Sequence, residues 1–103
     1  MYQQRIRQQV LYGQFRDYLN IAEEVIALRR KLGLATATLW TPTVGTANEI
    51  VWQIEYSDLA TFQRENKAFH SDPEVMEKWR RLWQLAVQGS TRDELLEEAP
   101  HIA

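Results

Sequence analysis

Cysteine is absent from this chain, which excludes two kinds of chemistry. No disulfide framework can form, and no metal can be held by thiolates. An excess of basic charge is also missing: 12 Lys and Arg stand against 14 Asp and Glu, giving a formal net charge of −2. Because nucleic-acid binding normally requires a basic face, we expect no nucleic-acid partner.

Long apolar runs are missing too. No stretch of about 18 consecutive apolar residues occurs, so no transmembrane helix is predicted. The first residues, MYQQRIRQQV, lack the apolar core of a signal peptide. We therefore expect a soluble, cytoplasmic protein with no membrane partner. By length, residues 1–103 are predicted to form a single domain.

The catalytic motifs that are easiest to recognise are absent as well. There is no Gly-rich phosphate loop, no G-x-S-x-G elbow and no H-E-x-x-H pair. The acidic cluster at 93–98 contains no histidine, so it fits a solvated surface better than a metal site. His101 lies in the C-terminal tail, and we expect no chemical role for it. No metal and no cofactor are predicted.

Hydrophobic periodicity predicts an alternation of strands and helices. The predicted elements are a strand at 2–11, a helix at 14–33, hairpin strands at 35–41 and 49–56, a helix from 59 to Gly89, and an edge strand at 91–97. The order β-α-β-β-α-β indicates a ferredoxin-like α+β fold, in which two helices cover one face of a four-stranded antiparallel sheet. The opposite face is then left for water or a partner.

Local signals place the helix ends. Arg29 to Lys31 fall in the last turn of the first helix, where they suit the helix dipole. Ser57 or Asp58 can cap the second helix. Asp72 followed by Pro73 predicts a fresh N-cap, with proline in the first helical position. The second helix is therefore expected to break at that point.

Two faces are distinguished on the strand VWQIEY at 51–56. Trp52 and Tyr56 lie on one face, which we interpret as the face beneath the helices, and Glu55 lies on the other. Arg5 and Arg7 on the first strand could clamp a carboxylate. Salt bridges to Glu55, either exposed or between subunits, are the simpler expectation.

Four segments together carry a family resemblance: YQQRIRQQVLYGQFRDYL at 2–19, GTANEIVWQIEYSDLATFQRE at 45–65, SDPEVMEKW at 71–79 and DELLEEAP at 93–100. They resemble the NIPSNAP-like proteins of the dimeric α/β-barrel superfamily. The resemblance implies that two such domains pair their sheets into one barrel, so a homodimer is expected. It also implies a pocket between the sheet and the helices of each subunit.

The superfamily includes haem-degrading monooxygenases, but the resemblance argues against haem here. Aligned through Phe62, the position of their tryptophan falls on Tyr56, that of their asparagine near Ile6 and that of their haem-ligating histidine near Trp79. An indole offers no lone pair to a metal. None of the three groups is kept, so no haem cofactor is expected.

The candidate ligand pocket combines aromatic and polar side chains: Trp52, Tyr56, Phe69, His70, Trp79 and Trp83. Three of them also have a simpler structural interpretation. Trp79 and Trp83 could merely pack the core or an interface, and His70 could be a surface or capping histidine in a loop rather than a general base.

Two functions therefore stay open. The first is binding of a small apolar or aromatic molecule without catalysis. The second is a cofactor-independent monooxygenase or isomerase acting on an aromatic or polyketide-like compound, as the superfamily implies. An enzyme needs an open cavity that brings polar groups to a common point. Packing by Trp79 and Trp83 would close that cavity.

Overall fold

The computed structural model describes residues 1–100, so His101 lies outside the described residues. The elements within that range are β1 (Tyr2–Gln9), α1 (Phe15–Lys31), β2 (Ala37–Trp40), β3 (Glu49–Tyr56), α2 (Leu59–Ser71), α3 (Pro73–Gln84) and β4 (Arg92–Glu97). The strands form one antiparallel sheet in the order β2-β3-β1-β4. The predicted ferredoxin-like α+β fold is confirmed. Among residues 1–100, no helix is long and apolar enough to cross a membrane.

The two faces of the sheet differ as the alternation on β3 predicts. Ile50, Trp52, Ile54 and Tyr56 are all buried, and they join one core cluster with side chains from the helices. The residues between them are partly or fully exposed. Alternation of burial with a period of two is what a sheet covered on one face requires. The interpretation that Trp52 and Tyr56 lie beneath the helices is confirmed.

The helical break at Asp72 is confirmed. Asp72 has an extended backbone (φ −88°, ψ 118°) between α2 and α3, and its Oδ1 accepts a hydrogen bond from the Val75 N–H at 3.0 Å. Pro73 occupies the first helical position, where its missing N–H costs nothing. Asp58, rather than Ser57, caps α2 by accepting from the Thr61 N–H at 2.7 Å.

The cap at Asp72 gives a first testable expectation. Asp72→Ala should lower the free energy of unfolding by about 1 kcal/mol, because one first-turn N–H of α3 loses its acceptor. Asp72→Asn is the matched control, since an amide oxygen can also accept that bond. Urea denaturation measures both changes. Equal losses in the two variants would show that the capping bond is not what Asp72 contributes.

Several predicted boundaries are wrong, among them the end of the first strand, which is Gln9 rather than residue 11. Helix α3 ends at Gln84 rather than Gly89, because Ala86 forms a bridge with Val10 and the Val87 N–H donates to the Gln9 carbonyl at 2.7 Å. The chain after α3 thus extends the pairing beyond the end of β1. Gly89 instead adopts φ +80° before β4, a conformation that glycine tolerates without strain.

Strand β2 is shorter than predicted, beginning at Ala37 rather than at residue 35. The Ala35 N–H donates to Glu65 at 2.6 Å, and the Ala35 carbonyl accepts from Arg29 at 2.8 Å. Both backbone groups of Ala35 are therefore engaged by side chains instead of a neighbouring strand. These two hydrogen bonds hold the side chains of Arg29 and Glu65 beside the sheet.

The arginines of β1 have partners other than the expected Glu55. Arg7 Nη1 lies 3.3 Å from Glu49 Oε1, and Arg5 Nε donates to the Gln3 side chain at 2.8 Å. Arg7 is opposite Val51 in the sheet, so Glu49 is its diagonal neighbour. A pairing with Glu55 within one chain is therefore not formed, and a pairing between subunits stays a prediction.

Candidate functional site

A cavity of about 290 Å³ lies between the sheet and the helices. All six residues of the predicted pocket line it: Trp52, Tyr56, Phe69, His70, Trp79 and Trp83. Further lining residues that the sequence did not assign to the pocket are Gln4, Ile6, Arg29, Ile54, Asn66, Thr91 and Asp93. The structure thus brings the predicted residues together around one space. Their role in holding a ligand stays a prediction.

The aromatic side chains form walls around this space. Trp79 makes edge-to-face contacts with Trp52 (ring centroids 5.2 Å apart, planes at 77°) and with Phe69 (5.3 Å, 85°). Contacts of this geometry are favourable and fix the orientation of the rings. Trp83, 48% exposed, lines the same cavity where it meets solvent. Trp79 and Trp83 therefore border the cavity rather than close it.

Arg29 is the basic residue among the lining residues that the sequence did not assign to the pocket. It is only 4% exposed, although it lies in the last turn of α1 beside exposed Arg30. The signal was present: Arg29 follows Tyr18, Ala22 and Val25 at spacings of four, three and four, which continues the buried stripe of the helix. Basic residues at a helix C-terminus suit the dipole even when they are exposed. That explanation accounted for Arg29 without predicting its burial.

The guanidinium of Arg29 has four partners: a backbone carbonyl, a phenol, a carboxylate and an aromatic ring. Its Nε donates to the Ala35 carbonyl at 2.8 Å, and its Nη2 reaches Tyr56 Oη at 3.4 Å. Nη2 also lies 3.8 Å from Glu65 Oε1. The guanidinium carbon lies 5.4 Å from the centre of the Phe69 ring, within the range of a cation–π interaction. Only the bond to Ala35 has the length of a strong hydrogen bond.

A chain of polar side chains continues from Arg29 along the cavity. Tyr56 Oη donates to Gln4 Oε1 at 3.3 Å, and Gln4 Nε2 donates to Asp93 Oδ1 at 3.0 Å. Burial raises the pKa of Tyr56 above its ordinary value, and the nearby Arg29 cation opposes part of that rise. Tyr56 is therefore a neutral phenol at neutral pH and can donate a hydrogen bond.

A second chain of hydrogen bonds begins at Trp52 and runs away from the aromatic rings of the cavity. Trp52 Nε1 donates to Tyr18 Oη at 2.8 Å, Tyr18 donates to Gln8, and Gln8 Nε2 donates to Thr91 Oγ1 at 3.0 Å. Burial raises the pKa of Tyr18, so its phenol stays neutral. These bonds explain how Gln8 can be fully buried in β1. They also hold the Trp52 ring in place.

His70 lies in the last turn of α2, not in a loop as expected, and it is exposed. Its Nδ1 lies 2.8 Å from the Asn66 carbonyl oxygen. Because a carbonyl can only accept, Nδ1 carries the proton in this contact, and Nε2 of the neutral ring keeps a lone pair. His70, Trp83 and Asp93 are the exposed lining residues and mark the opening of the cavity.

Metal-ligating groups do not converge on this cavity. Within residues 1–100, no three His, Cys, Asp or Glu side chains are grouped so that they could hold a metal ion. In that same range, every buried side-chain nitrogen and oxygen has a hydrogen-bond partner. The arrangement is suited to enclose a flat apolar ring and to offer it a few polar contacts.

The fold and the cavity define a class of protein: a ferredoxin-like α+β domain with an aromatic cavity between its sheet and its helices. Comparison with protein families identifies the group within that class. The NIPSNAP family model matches residues 9–97, and the chain belongs to the NIPSNAP family. No curated protein matches the chain.

Several solved structures share this fold with the chain. A NIPSNAP family protein from Agrobacterium tumefaciens is 15% identical with a TM-score of 0.80, over 95% of this chain and 92% of that one. An uncharacterized NIPSNAP domain protein from Burkholderia xenovorans is 18% identical with a TM-score of 0.77, over 100% and 99%. SnoaB from Streptomyces nogalater, described as a cofactor-independent oxygenase and solved as a mutant, is 15% identical with a TM-score of 0.69, over 98% and 96%.

Proposed function

We propose that this protein binds a small, flat, apolar or aromatic molecule in the cavity between its sheet and its helices. In this proposal it acts as a cytoplasmic homodimer of single-domain subunits, each with one cavity. The observation that supports binding is the cavity itself, bordered by the aromatic rings of Trp52, Phe69, Trp79 and Trp83. Apolar concave sites with a few polar groups are the usual form of small-molecule sites.

The size of the cavity limits the ligand. A volume of about 290 Å³ is just below the range of about 300–1,000 Å³ that is typical of ligand sites. A molecule of two fused aromatic rings is therefore a suitable probe. Its apolar surface would leave water on binding, which favours the complex by about 25 cal/mol per Å² of area buried.

Isothermal titration calorimetry with 2-acetylnaphthalene tests this proposal. We expect saturable binding of one molecule per chain, with a negative heat-capacity change because apolar surface is buried. Ile6→Phe is a useful control, since Ile6 lines the cavity and a larger ring there should occupy part of its volume. Failure of the wild-type protein to bind the probe saturably would contradict the proposal.

A second candidate function is a cofactor-independent monooxygenase or isomerase acting on an aromatic or polyketide-like compound. Two observations favour keeping it: the fold shared with SnoaB, and His70 at the cavity opening with a ring nitrogen available as a base. Oxygen uptake in the presence of an anthrone tests the oxygenase. If this function is correct, uptake should exceed that without protein and fall in His70→Ala; equal uptake with and without protein would exclude it for that substrate.

Dimerisation is expected through the sheet face opposite the helices. This face carries Val51, Gln53 and exposed Trp40, and no helix of the described residues covers it. Two such faces packed about 10 Å apart would bury on the order of 2,000 Å² in total, as stable dimers do. Sedimentation velocity at micromolar concentration should show the mass of a dimer.

A variant on this face can be compared with the same substitution elsewhere. Val51→Glu should dissociate the dimer, because a two-fold axis brings one added carboxylate from each chain into the buried contact. Val44→Glu, the same change at a loop position that is 93% exposed, should leave the dimer intact. A wild-type monomer at these concentrations would contradict the expected assembly.

The cofactor expectation is also testable. Titration with hemin should give no sharp Soret shift of a histidine-ligated complex, because Trp79 stands where a haem-ligating histidine would be expected and has no lone pair to offer. His70 is the one histidine that lines the cavity within residues 1–100. A stoichiometric histidine-type spectrum that disappears in His70→Ala would contradict this expectation.

A further inference from the structure

The polar groups of the cavity point to a more specific ligand than a flat apolar ring. Arg29 and Tyr56 both line the cavity, both are buried, and both carry N–H or O–H donors. Their contact with each other, at 3.4 Å, is longer than the 2.9–3.0 Å typical of N–H···O bonds. The bond from Tyr56 to Gln4, at 3.3 Å, is also long. The Nη2 donor of Arg29 and the hydroxyl donor of Tyr56 therefore make only long hydrogen bonds within the protein.

Arg29 is held firmly even though its terminal amino groups are weakly bound. The bond from Nε to the Ala35 carbonyl fixes one edge of the guanidinium, and the Phe69 ring lies against it. A fixed guanidinium loses little conformational freedom when a ligand binds to its remaining donors. An acceptor oxygen on a bound molecule would gain a hydrogen bond from a charged donor, which is stronger than a neutral one.

The charges around Arg29 indicate whether the acceptor oxygen of the ligand is neutral or anionic. The carboxylate of Glu65 lies 3.8 Å from Arg29 Nη2, and it already balances the cation. Asp93 places a second carboxylate near the cavity, in the lining itself, where His70 is the other titratable group besides Arg29 and Tyr56. One cation against two carboxylates gives no excess of positive charge for an anionic ligand. A neutral carbonyl oxygen suits this environment better.

We propose that Arg29 and Tyr56 recognise a neutral carbonyl oxygen on the bound molecule, so that the ligand class is the flat aromatic ketones. This inference rests on the proposed function, because it specifies the ligand of the same cavity. In this proposal Trp52, Trp79 and Trp83 contact the rings of the ligand. The Arg29–Tyr56 pair binds its carbonyl end and so sets the orientation of the ligand in the cavity.

Three probes of similar shape separate the possibilities. 2-Acetylnaphthalene carries the carbonyl, 2-ethylnaphthalene replaces it with an apolar group, and 2-naphthoate replaces it with an anion. Apolar burial alone would favour the ethyl compound. We expect the ketone to bind about tenfold more tightly than the ethyl compound, since a hydrogen bond to a charged group contributes at least that factor. Naphthoate should bind more weakly than the ketone.

Substitutions test whether Arg29 and Tyr56 cause the preference for the ketone over the ethyl compound. Arg29→Met and Tyr56→Phe should each reduce the ketone preference while the ethyl compound binds as before. Tyr18→Phe is the matched control: Tyr18 is also buried and also bonded to a glutamine of β1, but it does not line the cavity. Glu65→Gln should raise the affinity for naphthoate by removing a carboxylate next to Arg29. If Arg29→Met does not fold, Tyr56→Phe, which removes a single oxygen, carries the test.

Calorimetric titration gives outcomes that separate the two claims. Tighter binding of the ketone that is lost in Tyr56→Phe but kept in Tyr18→Phe supports the inference. Equal binding of the ketone and the ethyl compound overturns the inference and leaves the cavity as a binding site. Tighter binding of naphthoate than of the ketone overturns the preference for a neutral oxygen. Binding of none of the three overturns the proposed function and the inference together.

Discussion

Trp52→Ala should lower the free energy of unfolding by roughly 3–5 kcal/mol, the range for removing a large aromatic side chain from a core. Trp52 is 1% exposed and packs edge to face against Trp79. Its loss would also leave Tyr18 Oη without the indole N–H that donates to it. Since small domains have total stabilities of about 5–15 kcal/mol, much of the variant could be unfolded at moderate temperature. Urea denaturation followed by circular dichroism measures the change.

Trp83 provides the comparison for that result. It lines the same cavity but is 48% exposed. Trp83→Ala should therefore change the free energy of unfolding by no more than about 0.5 kcal/mol, as surface substitutions usually do. If Trp52→Ala and Trp83→Ala were equally destabilising, the assignment of Trp52 to the core and Trp83 to the cavity opening would be wrong.

Trp83→Ala should weaken the binding of 2-acetylnaphthalene about tenfold, although the fold stays intact. The reason is that a ring that borders the ligand contributes apolar contact worth about 1.5–3 kcal/mol when fully buried, and Trp83 would be covered only in part. Trp40→Ala is the matched control, because Trp40 is similarly exposed but lies on the opposite face of the sheet. Calorimetric titration measures both. Equal losses in the two variants would place the bound molecule outside the cavity.

Much of the fold could be predicted because periodicity reports burial. The alternation at 51–56 correctly indicated which face of β3 lies beneath the helices, and Asp72-Pro73 correctly indicated the break between α2 and α3. The errors lie where tertiary bonds replace local ones. Ala86 and Val87 continue the helical pattern, but their backbone pairs with the end of β1, which a local pattern cannot show.

The candidate site was predictable in its aromatic part and not in its polar part. Large aromatic side chains at strand and helix spacings indicate which faces converge, and all six residues of the predicted pocket line the cavity. Arg29, Gln4 and Gln8 were obscured because their side-chain types usually signal exposure. Their burial depends on partners distant in sequence, such as Asp93 for Gln4 and Thr91 for Gln8.

The four tryptophans allow one measurement that tests ligand binding in the cavity most directly. Each indole N–H gives its own signal in a two-dimensional nitrogen–proton NMR spectrum, and single Trp→Phe variants assign them. During titration with 2-acetylnaphthalene, the signals of Trp52, Trp79 and Trp83 should shift with one common dissociation constant, while the Trp40 signal stays in place. Unchanged signals for the three cavity tryptophans, or a shift of Trp40 alone, would contradict binding in the cavity.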